Sequence, residues 1–403
     1  MTEAIQWKTN TMIKNAKMGV STALFSKNEI KKVQEFHKSF PQYNPTPLYT
    51  LPCLARRLGV AGIYIKDESK RFGLNAFKVL GGSYAMARYI AEKLQFDISD
   101  LPYDVLISPK IRELIGNLTF ATTTDGNHGR GVAWTAKQLK QQANVYMPKG
   151  SSYERLQAIR NEGAIATITN FNYDDTVRLT AEQACKKGWV VVQDTAWGGY
   201  EDIPTWIMQG YGTLTAEAFE QLETFNVEKP SHIFMQAGVG SLAGSMQAYL
   251  TDLFKDERPK VTIVESNQAD CFYQSVLAGD GKPRNVGGDM KTIMAGLACG
   301  EPNSIGWNFL RDYSEVFVSC SDSIAARGMR VLGNPNGNDQ RIISGESGAV
   351  TLGLLYYLMT NKDSEKAKSA LGLNADSTIL LVSTEGNTDP EKYLDIVWDG
   401  KNN

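Results

Sequence analysis

The chain has 403 residues, 42% of them hydrophobic and 21% charged, which is ordinary for a globular protein that can bury a large core. Its formal net charge of −2 gives no overall attraction to nucleic acid or to an anionic membrane, so we expect neither as a partner. No apolar stretch approaches the roughly 20 residues that span a bilayer, and the N-terminus lacks the basic start and apolar run of a secretory signal.

The first informative segment is 75–82, in which Lys78 lies between Phe77 and Val79. Lysine is usually a solvated surface charge, and a surface position is the alternative here. An apolar setting removes water from the ammonium group and eases the loss of its proton, which a Schiff-base lysine requires. Lys78 is therefore the candidate catalytic lysine.

Strand and helix patterns alternate between residues 83 and 197, which predicts a parallel sheet covered by helices. We expect helices at 83–94, 128–141, 151–162 and 173–187 and strands at 118–122, 144–147, 165–169 and 189–192. Gly163 and Gly188 mark helix ends. The pattern predicts a small α/β domain at 83–208 and a large domain that combines 1–82 with 209–403.

The predicted strand at 118–122 runs into a segment rich in hydroxyl groups and glycine, and then into a helix. Backbone N–H groups at such a helix start point at a carboxylate or a phosphate. The candidate substrate-binding residues here are Thr124, Asp125, Gly126 and His128. An ordinary turn capped by Asp125 or Asn127 is the alternative, and we expect His128 to pack or hydrogen-bond rather than to perform chemistry.

A second strand–glycine–helix transition spans 233–244. The candidate phosphate-binding residues, whose N–H groups no bulky side chain obstructs, are Gly238, Val239, Gly240, Ser241 and Leu242. The spacing of Gly238, Gly240 and Ala243 also fits the dinucleotide fingerprint, and Glu265 ends the next apolar run where a ribose contact would lie. An NAD(P)-dependent oxidoreductase is therefore an alternative.

A third strand, at 379–382, ends in the hydroxyl groups of Ser383 and Thr384 and in Gly386. With the preceding segments, it resembles the fold-type II pyridoxal phosphate enzymes, which include threonine and serine dehydratases, cysteine synthases and tryptophan synthase β subunits. Residues 76–78 are similar to the family's Ser-Phe-Lys, 126–128 to its Gly-Asn-His, 238–244 to its phosphate loop and 346–349 to its Glu-x-x-Gly-Ala or Glu-Ser segment. The resemblance covers about 46–387 and implies an α/β fold of two domains, each a parallel twisted sheet flanked by helices.

The resemblance also implies a cofactor, pyridoxal 5′-phosphate, held covalently by Lys78 with its phosphate on residues 238–242. Asn127 would face the ring hydroxyl group, and Thr384 or Ser383 the ring nitrogen. Glu346 would line the ring pocket; a plain loop charge is the alternative.

Within the family, Asp125 and Asp194 resemble the carboxylates of the ammonia-lyases that act on 2,3-diaminopropionate, because a substrate with two ammonium groups needs an extra anion. The resemblance implies a cytoplasmic homodimer that converts both the D and the L isomer to pyruvate and ammonia. Asp125 could bind the distal ammonium, protonate it, or take the Cα proton from the face opposite Lys78. Asp194 could instead be a surface or capping acid.

A serine or threonine dehydratase, or a β-replacing synthase of the same fold, is the alternative function.

Five cysteines are a sparse, odd-numbered set that indicates no disulfide framework, and three histidines without a CxxC pair predict no metal site. Whether Cys271 and Cys299 pair stays open, although a reducing compartment disfavours it.

Overall fold

Two sheets organise residues 4–403, which are the residues that the computed structural model describes. The strands are β1 Ile5–Thr9, β2 Leu48–Thr50, β3 Gly62–Asp67, β4 Thr119–Thr123, β5 Gln142–Met147, β6 Ile165–Ile168, β7 Val190–Val191, β8 His232–Gln236, β9 Lys260–Ser266, β10 Val316–Cys320 and β11 Thr378–Ser383. The α-helices are α1 Lys27–Lys38, α2 Pro52–Leu58, α3 Val79–Leu94, α4 Tyr103–Leu106, α5 Pro109–Ile115, α6 Asn127–Gln138, α7 Tyr153–Asn161, α8 Tyr173–Lys187, α9 Asp202–Thr224, α10 Ser241–Phe254, α11 Cys271–Ala278, α12 Ser304–Tyr313, α13 Asp322–Gly333, α14 Glu346–Thr360, α15 Glu365–Leu371 and α16 Pro390–Val397. Short 3-10 helices are Ala23–Phe25, Glu68–Gly73, Ile98–Asp100, Lys255–Glu257, Ala295–Leu297 and Lys362–Ser364.

The larger sheet has the strand order β1-β10-β9-β8-β11-β3-β2. Its five central strands are parallel, and the edge strands β1 and β2 pair antiparallel to their neighbours. All five residues of β8 are buried, as expected for a parallel strand that helices cover on both faces. Ile379 of β11 pairs with Ile63 of β3 on one side and with His232 of β8 on the other, so β11 is central.

The smaller sheet has the order β6-β5-β4-β7 and is parallel throughout. Each predicted strand and helix between residues 118 and 187 is present, with ends shifted by a few residues. Gly188 ends α8 with φ 68° and Gly163 follows α7 with φ 92°, both in the left-handed region that glycine adopts without a Cβ penalty. The predicted α/β fold with two helix-flanked parallel sheets is confirmed.

The predicted domain limits fall inside continuous helices. The 82/83 limit lies within α3 and the 208/209 limit lies within α9, and these two helices pack against each other. The division at these residues stays a prediction.

None of the helices in residues 4–403 combines the length and the apolar character needed to cross a membrane.

The strand ends explain where a site can form. The carboxyl ends of the neighbouring parallel strands β8 and β11 meet at one edge of the larger sheet, and ligands of open α/β sheets bind at such edges. The loop between β4 and α6 comes from the smaller sheet to the same place, because it and the ends of β8 and β11 line one cavity.

Candidate active site

A cavity lies between the two sheets and is lined by residues that follow strands of both. Its lining residues are Phe77, Lys78, Thr124, Asp125, Asn127, His128, Tyr173, Asp194, Gln236, Ala237, Gly238, Val239, Gly240, Ser241, Leu242, Gly296, Leu297, Cys299, Ser347, Thr384 and Glu385. The candidate residues from the sequence are therefore brought together, with the exception of Gly126, Glu346 and Ser383, which lie outside this lining.

Lys78 lies at the N-cap position of α3, with its side chain directed into the cavity. Its Nζ donates to Asp194 Oδ2 at 2.5 Å. The rings of Phe77 and Tyr211 flank the same nitrogen, with centroids 5.5 and 6.0 Å away. The amine is thus desolvated, as the sequence predicted, but it is also ion-paired.

The ion pair reverses the effect that we expected from desolvation alone. Burial lowers the pKa of Lys78, but the Asp194 carboxylate outweighs it and raises the pKa above its ordinary value. For Asp194, burial acts in the other direction, and the Lys78 ammonium prevails and lowers the pKa to about 2. Asp194 is 2% exposed, which excludes the alternative hypothesis that it is a surface acid.

Asp125 lies in the loop between β4 and α6. The N-cap of α6 is Gly126, and no side chain caps the helix. Asp125 instead pairs with Arg155, whose Nη1 lies 3.3 Å from Asp125 Oδ2. Its carboxylate is therefore a wall of the cavity and not a helix cap.

The first two residues of α6 hold this loop against both sheets. His128 Nε2 lies 2.8 Å from the Val192 carbonyl oxygen, which can only accept, so Nε2 carries the proton. Burial lowers the pKa of His128 and favours the neutral ring. Asn127 Nδ2 donates to Glu385 Oε2 at 2.5 Å, which joins the loop to the segment after β11.

The turn from β8 into α10 forms the predicted cradle. Gly240 is the N-cap of α10 with φ 89°, and a Cβ there would lie 2.3 Å from Phe272 Cζ. N–H groups in the first turn of a helix have no partner within it, so they are available to an anion. Ser241 Oγ donates to the Asp194 carbonyl oxygen at 2.5 Å and accepts from Asn303 Nδ2 at 2.8 Å, which fixes the cradle beside Asp194.

The two hydroxyl groups at the end of β11 have different surroundings. Thr384 lines the cavity, and its Oγ1 accepts from Gln236 Nε2 at 3.2 Å. Ser383 Oγ donates to Ser344 Oγ at 2.8 Å and does not line the cavity. Of the two candidates that the sequence left open, Thr384 is the one that faces the cavity.

A group of acids lies behind the cavity wall. Glu346 begins α14 and is buried with its Oε1 unpartnered, and burial together with the neighbouring Glu385 raises the pKa of Glu346 to about 7. Burial also raises the pKa of Glu385. Sequence reasoning missed Glu385 as a lining residue, although it follows the two hydroxyl residues directly.

Comparison with known proteins identifies the family. Residues 40–385 match the family described as pyridoxal-phosphate dependent enzyme. The chain is 53% identical over 402 residues to the diaminopropionate ammonia-lyase of Salmonella typhimurium, with 100% of each chain covered. The chain belongs to the diaminopropionate ammonia-lyase family of pyridoxal-phosphate dependent enzymes.

Solved structures agree with this assignment. The Escherichia coli diaminopropionate ammonia-lyase in complex with D-serine has a TM-score of 0.92 at 51% identity, covering 99% of this chain and 98% of that one. The same enzyme in complex with an aminoacrylate–pyridoxal phosphate azomethine reaction intermediate has a TM-score of 0.90 at 50% identity, with the same coverage. The predicted family and cofactor are confirmed.

The residues of this chain fit pyridoxal phosphate. Among residues 4–403, His128 Nδ1 and Gln236 Oε1 are buried polar atoms without a partner, and both residues line the cavity. The cradle at Gly240 supplies backbone donors for a phosphate, and Lys78 supplies the amine. Unpartnered polar atoms of this kind are costly unless a ligand or water satisfies them.

The oxidoreductase alternative fails at its ribose contact. Both carboxylate oxygens of Glu265 are buried and accept the backbone N–H groups of Phe272 and Tyr273 at 2.8 and 2.7 Å. Glu265 therefore stabilises the start of α11.

Cys271 and Cys299 are both free thiols, so the possible bridge between them is not formed.

Proposed function

We propose that this chain catalyses the α,β-elimination of 2,3-diaminopropionate to pyruvate and ammonia, and that it accepts both the D and the L isomer. The observation that carries the proposal is that two carboxylates, Asp125 and Asp194, share one cavity with Lys78. The cofactor would engage the α-amine of the substrate, so the distal ammonium is the cation that needs an anion, and Asp194 would lack one once Lys78 holds the cofactor. A hydroxyamino acid has no distal ammonium and would leave Asp194 without a cation, which favours the lyase over the dehydratase.

The cofactor would be held from several sides. Lys78 would bind it covalently, and the first turn of α10 would bind its phosphate. Asn127 has a second N–H that is free to donate to the ring hydroxyl group. Because Thr384 Oγ1 already accepts from Gln236, its own proton is available to the ring nitrogen, which would leave that nitrogen neutral.

Bound pyridoxal phosphate supplies an electron sink for the bond that breaks at the substrate Cα. Lys78, as a free amine beside the substrate, would take the Cα proton of one isomer. Asp125 takes the Cα proton of the other isomer from the opposite face. Asp194, no longer paired with Lys78, holds the distal amine as an ammonium, so that it departs as ammonia without a negative charge on nitrogen.

The isomers of the substrate test the proposal. Asp125→Asn keeps the size of the side chain but cannot take a proton. It should lower kcat/KM for D-2,3-diaminopropionate by about 10²–10⁴-fold, as expected for a lost general base, and should affect the L isomer far less. Pyruvate release measures both. Asp174→Asn is the matched control, because Asp174 is an acid at the start of α8 that does not line the cavity.

Other outcomes separate the alternatives. Equal losses on both isomers, mainly through KM, would mean that Asp125 only binds the distal ammonium. Wild-type protein that releases pyruvate from serine faster than from either isomer of diaminopropionate would establish the dehydratase instead.

We also infer a cytoplasmic homodimer. The family resemblance supports the dimer, and the five free cysteines are consistent with a reducing compartment. Sedimentation at micromolar concentration should give twice the mass of the chain, and a monomer mass would overturn the dimer.

A further inference from the structure

Arg155 approaches the cavity from behind Asp125 and is nearly buried, with 6% of its side chain exposed. It lies in the first turn of α7, where its backbone N–H donates to Ser152 Oγ at 3.4 Å. Its aliphatic stem packs over Gly126, where a Cβ would lie 2.9 Å from Arg155 Cδ. A glycine directly after Asp125 therefore leaves room for this side chain.

The guanidinium group joins the two sheets. Nη1 lies 3.3 Å from Asp125 Oδ2, in the loop after β4 of the smaller sheet. Nη2 donates at 3.2 Å to Thr388 Oγ1, in the segment after β11 of the larger sheet. Burial lowers the pKa of Arg155, but the Asp125 and Glu385 carboxylates outweigh it and raise the pKa.

The other acids around this guanidinium have partners of their own or a raised pKa. Glu385 accepts from Asn127, and Asp389 pairs with Lys392 at 3.4 Å. Burial and the neighbouring Glu385 raise the pKa of Glu346, which favours its neutral form. Asp125 differs from these acids. Among residues 4–403, Arg155 is the one side chain that pairs with its carboxylate.

We propose that Arg155 is a positioning residue that orients the Asp125 carboxylate toward the cavity. Because Arg155 also contacts Thr388 in the segment after β11, the orientation of Asp125 depends on how the two sheets pack. The proposal rests on the function given above, because it assigns Arg155 to the proton transfer that Asp125 performs. Arg155 lies outside the cavity lining, so it acts through Asp125 and not on the substrate.

The test compares isomers and adds back the missing group. Arg155→Ala should lower kcat/KM for the D isomer by about 10²-fold, the effect of displacing a catalytic group by about 1 Å. The loss on the L isomer should be at least ten-fold smaller. Millimolar methylguanidinium should restore part of the D activity, and Arg155→Lys should lie between wild type and Arg155→Ala.

Arg130→Gln is the matched control. Arg130 is another partly buried arginine near the smaller sheet, pairs with Glu162 at 3.3 Å and donates to the Leu74 carbonyl oxygen at 3.1 Å, but it does not line the cavity or contact Asp125. Its D-to-L activity ratio should equal that of the wild type.

A second measurement does not depend on turnover. In the cofactor-loaded chain, the thermal midpoints of Arg155→Ala, Asp125→Asn and the double variant should be non-additive, with the double variant no lower than the worse single variant. Additive midpoints, or equal losses on both isomers without rescue, would overturn the role of Arg155. A wild type inactive on both isomers would overturn the proposed function instead, while the midpoints would still decide whether Arg155 and Asp125 are coupled.

Discussion

At the scale of single residues, the decisive contact is the ion pair of Lys78 and Asp194, which are 116 residues apart in the chain. The apolar neighbours of Lys78 predict a desolvated amine, and this part is correct. The carboxylate that raises the pKa of Lys78 comes from the segment after β7, and the sequence indicated Asp194 as a substrate carboxylate but not as the partner of Lys78. The free side chain of Lys78 is therefore stabilised as an ammonium, and it must lose its proton before it can act as a base.

Lys78→Ala should bind pyridoxal phosphate without the visible absorption band of a Schiff-base lysine and should lose elimination activity, because no other amine lines the cavity in the described residues. Borohydride reduction of the wild type followed by peptide mapping should place the pyridoxyl group on Lys78. Lys66 is the internal control, since it is fully buried and donates to Glu217. A label on Lys66 or Lys70 would refute the assignment.

At the scale of elements, the sequence predicted the site better than its surroundings. Three strand-to-loop transitions rich in glycine or hydroxyl groups indicated the loop at Asp125, the cradle at Gly240 and the strand end at Thr384, because each is encoded by adjacent residues. Contacts between distant segments, such as Asn127 with Glu385, depend on how the two sheets pack. Glu346 shows the same limit, because the family pattern indicates its identity but not that it lies behind the cavity wall.

Gly240→Ala should weaken the binding of pyridoxal phosphate, because its φ of 89° and the contact with Phe272 both exclude a Cβ. Gly279→Ala is the matched control: φ is 68°, and the nearest atom to its added Cβ is 3.9 Å away. Both variants should lose about 1–2 kcal/mol of stability from the left-handed conformation, but only Gly240→Ala should lower cofactor affinity in a fluorescence titration. Unchanged affinity in Gly240→Ala would place the phosphate elsewhere.

At the scale of the whole molecule, a buried ionic network ties the strand before Lys78 to helix α9. Arg71 makes a bidentate contact with Glu217, at 2.8 and 2.7 Å, and Lys66 Nζ lies 2.8 Å from the same carboxylate. Burial raises the pKa of Glu217, but Arg71 outweighs it and lowers the pKa to about 2. Glu68 also accepts from Arg71, at 2.9 and 2.8 Å, so two buried carboxylates face two buried cations, and Glu217 contacts both cations.

Glu217→Gln should lower the free energy of unfolding by about 3–5 kcal/mol, because it leaves the buried Lys66 without a carboxylate partner and Arg71 with Glu68 alone. Urea denaturation with saturating cofactor measures the change. Glu35→Gln, which breaks the exposed pair of Glu35 with Lys38, should change stability by less than about 0.5 kcal/mol. Equal effects of the two substitutions would mean that water reaches the network.

The central position of β11 also affects the order in which the two sheets can fold during synthesis. The strands of the smaller sheet lie in one continuous stretch, β4 to β7, whereas β11 inserts between β3 and β8 near the end of the chain. Roughly 190 residues separate β7 from β11, which a ribosome adds in about 10 to 40 s. The smaller sheet can thus fold before the ribosome has made β11 and Thr384, which lies in the same cavity as Lys78. Until β11 is made, β3 and β8 therefore lack the strand that pairs with both of them.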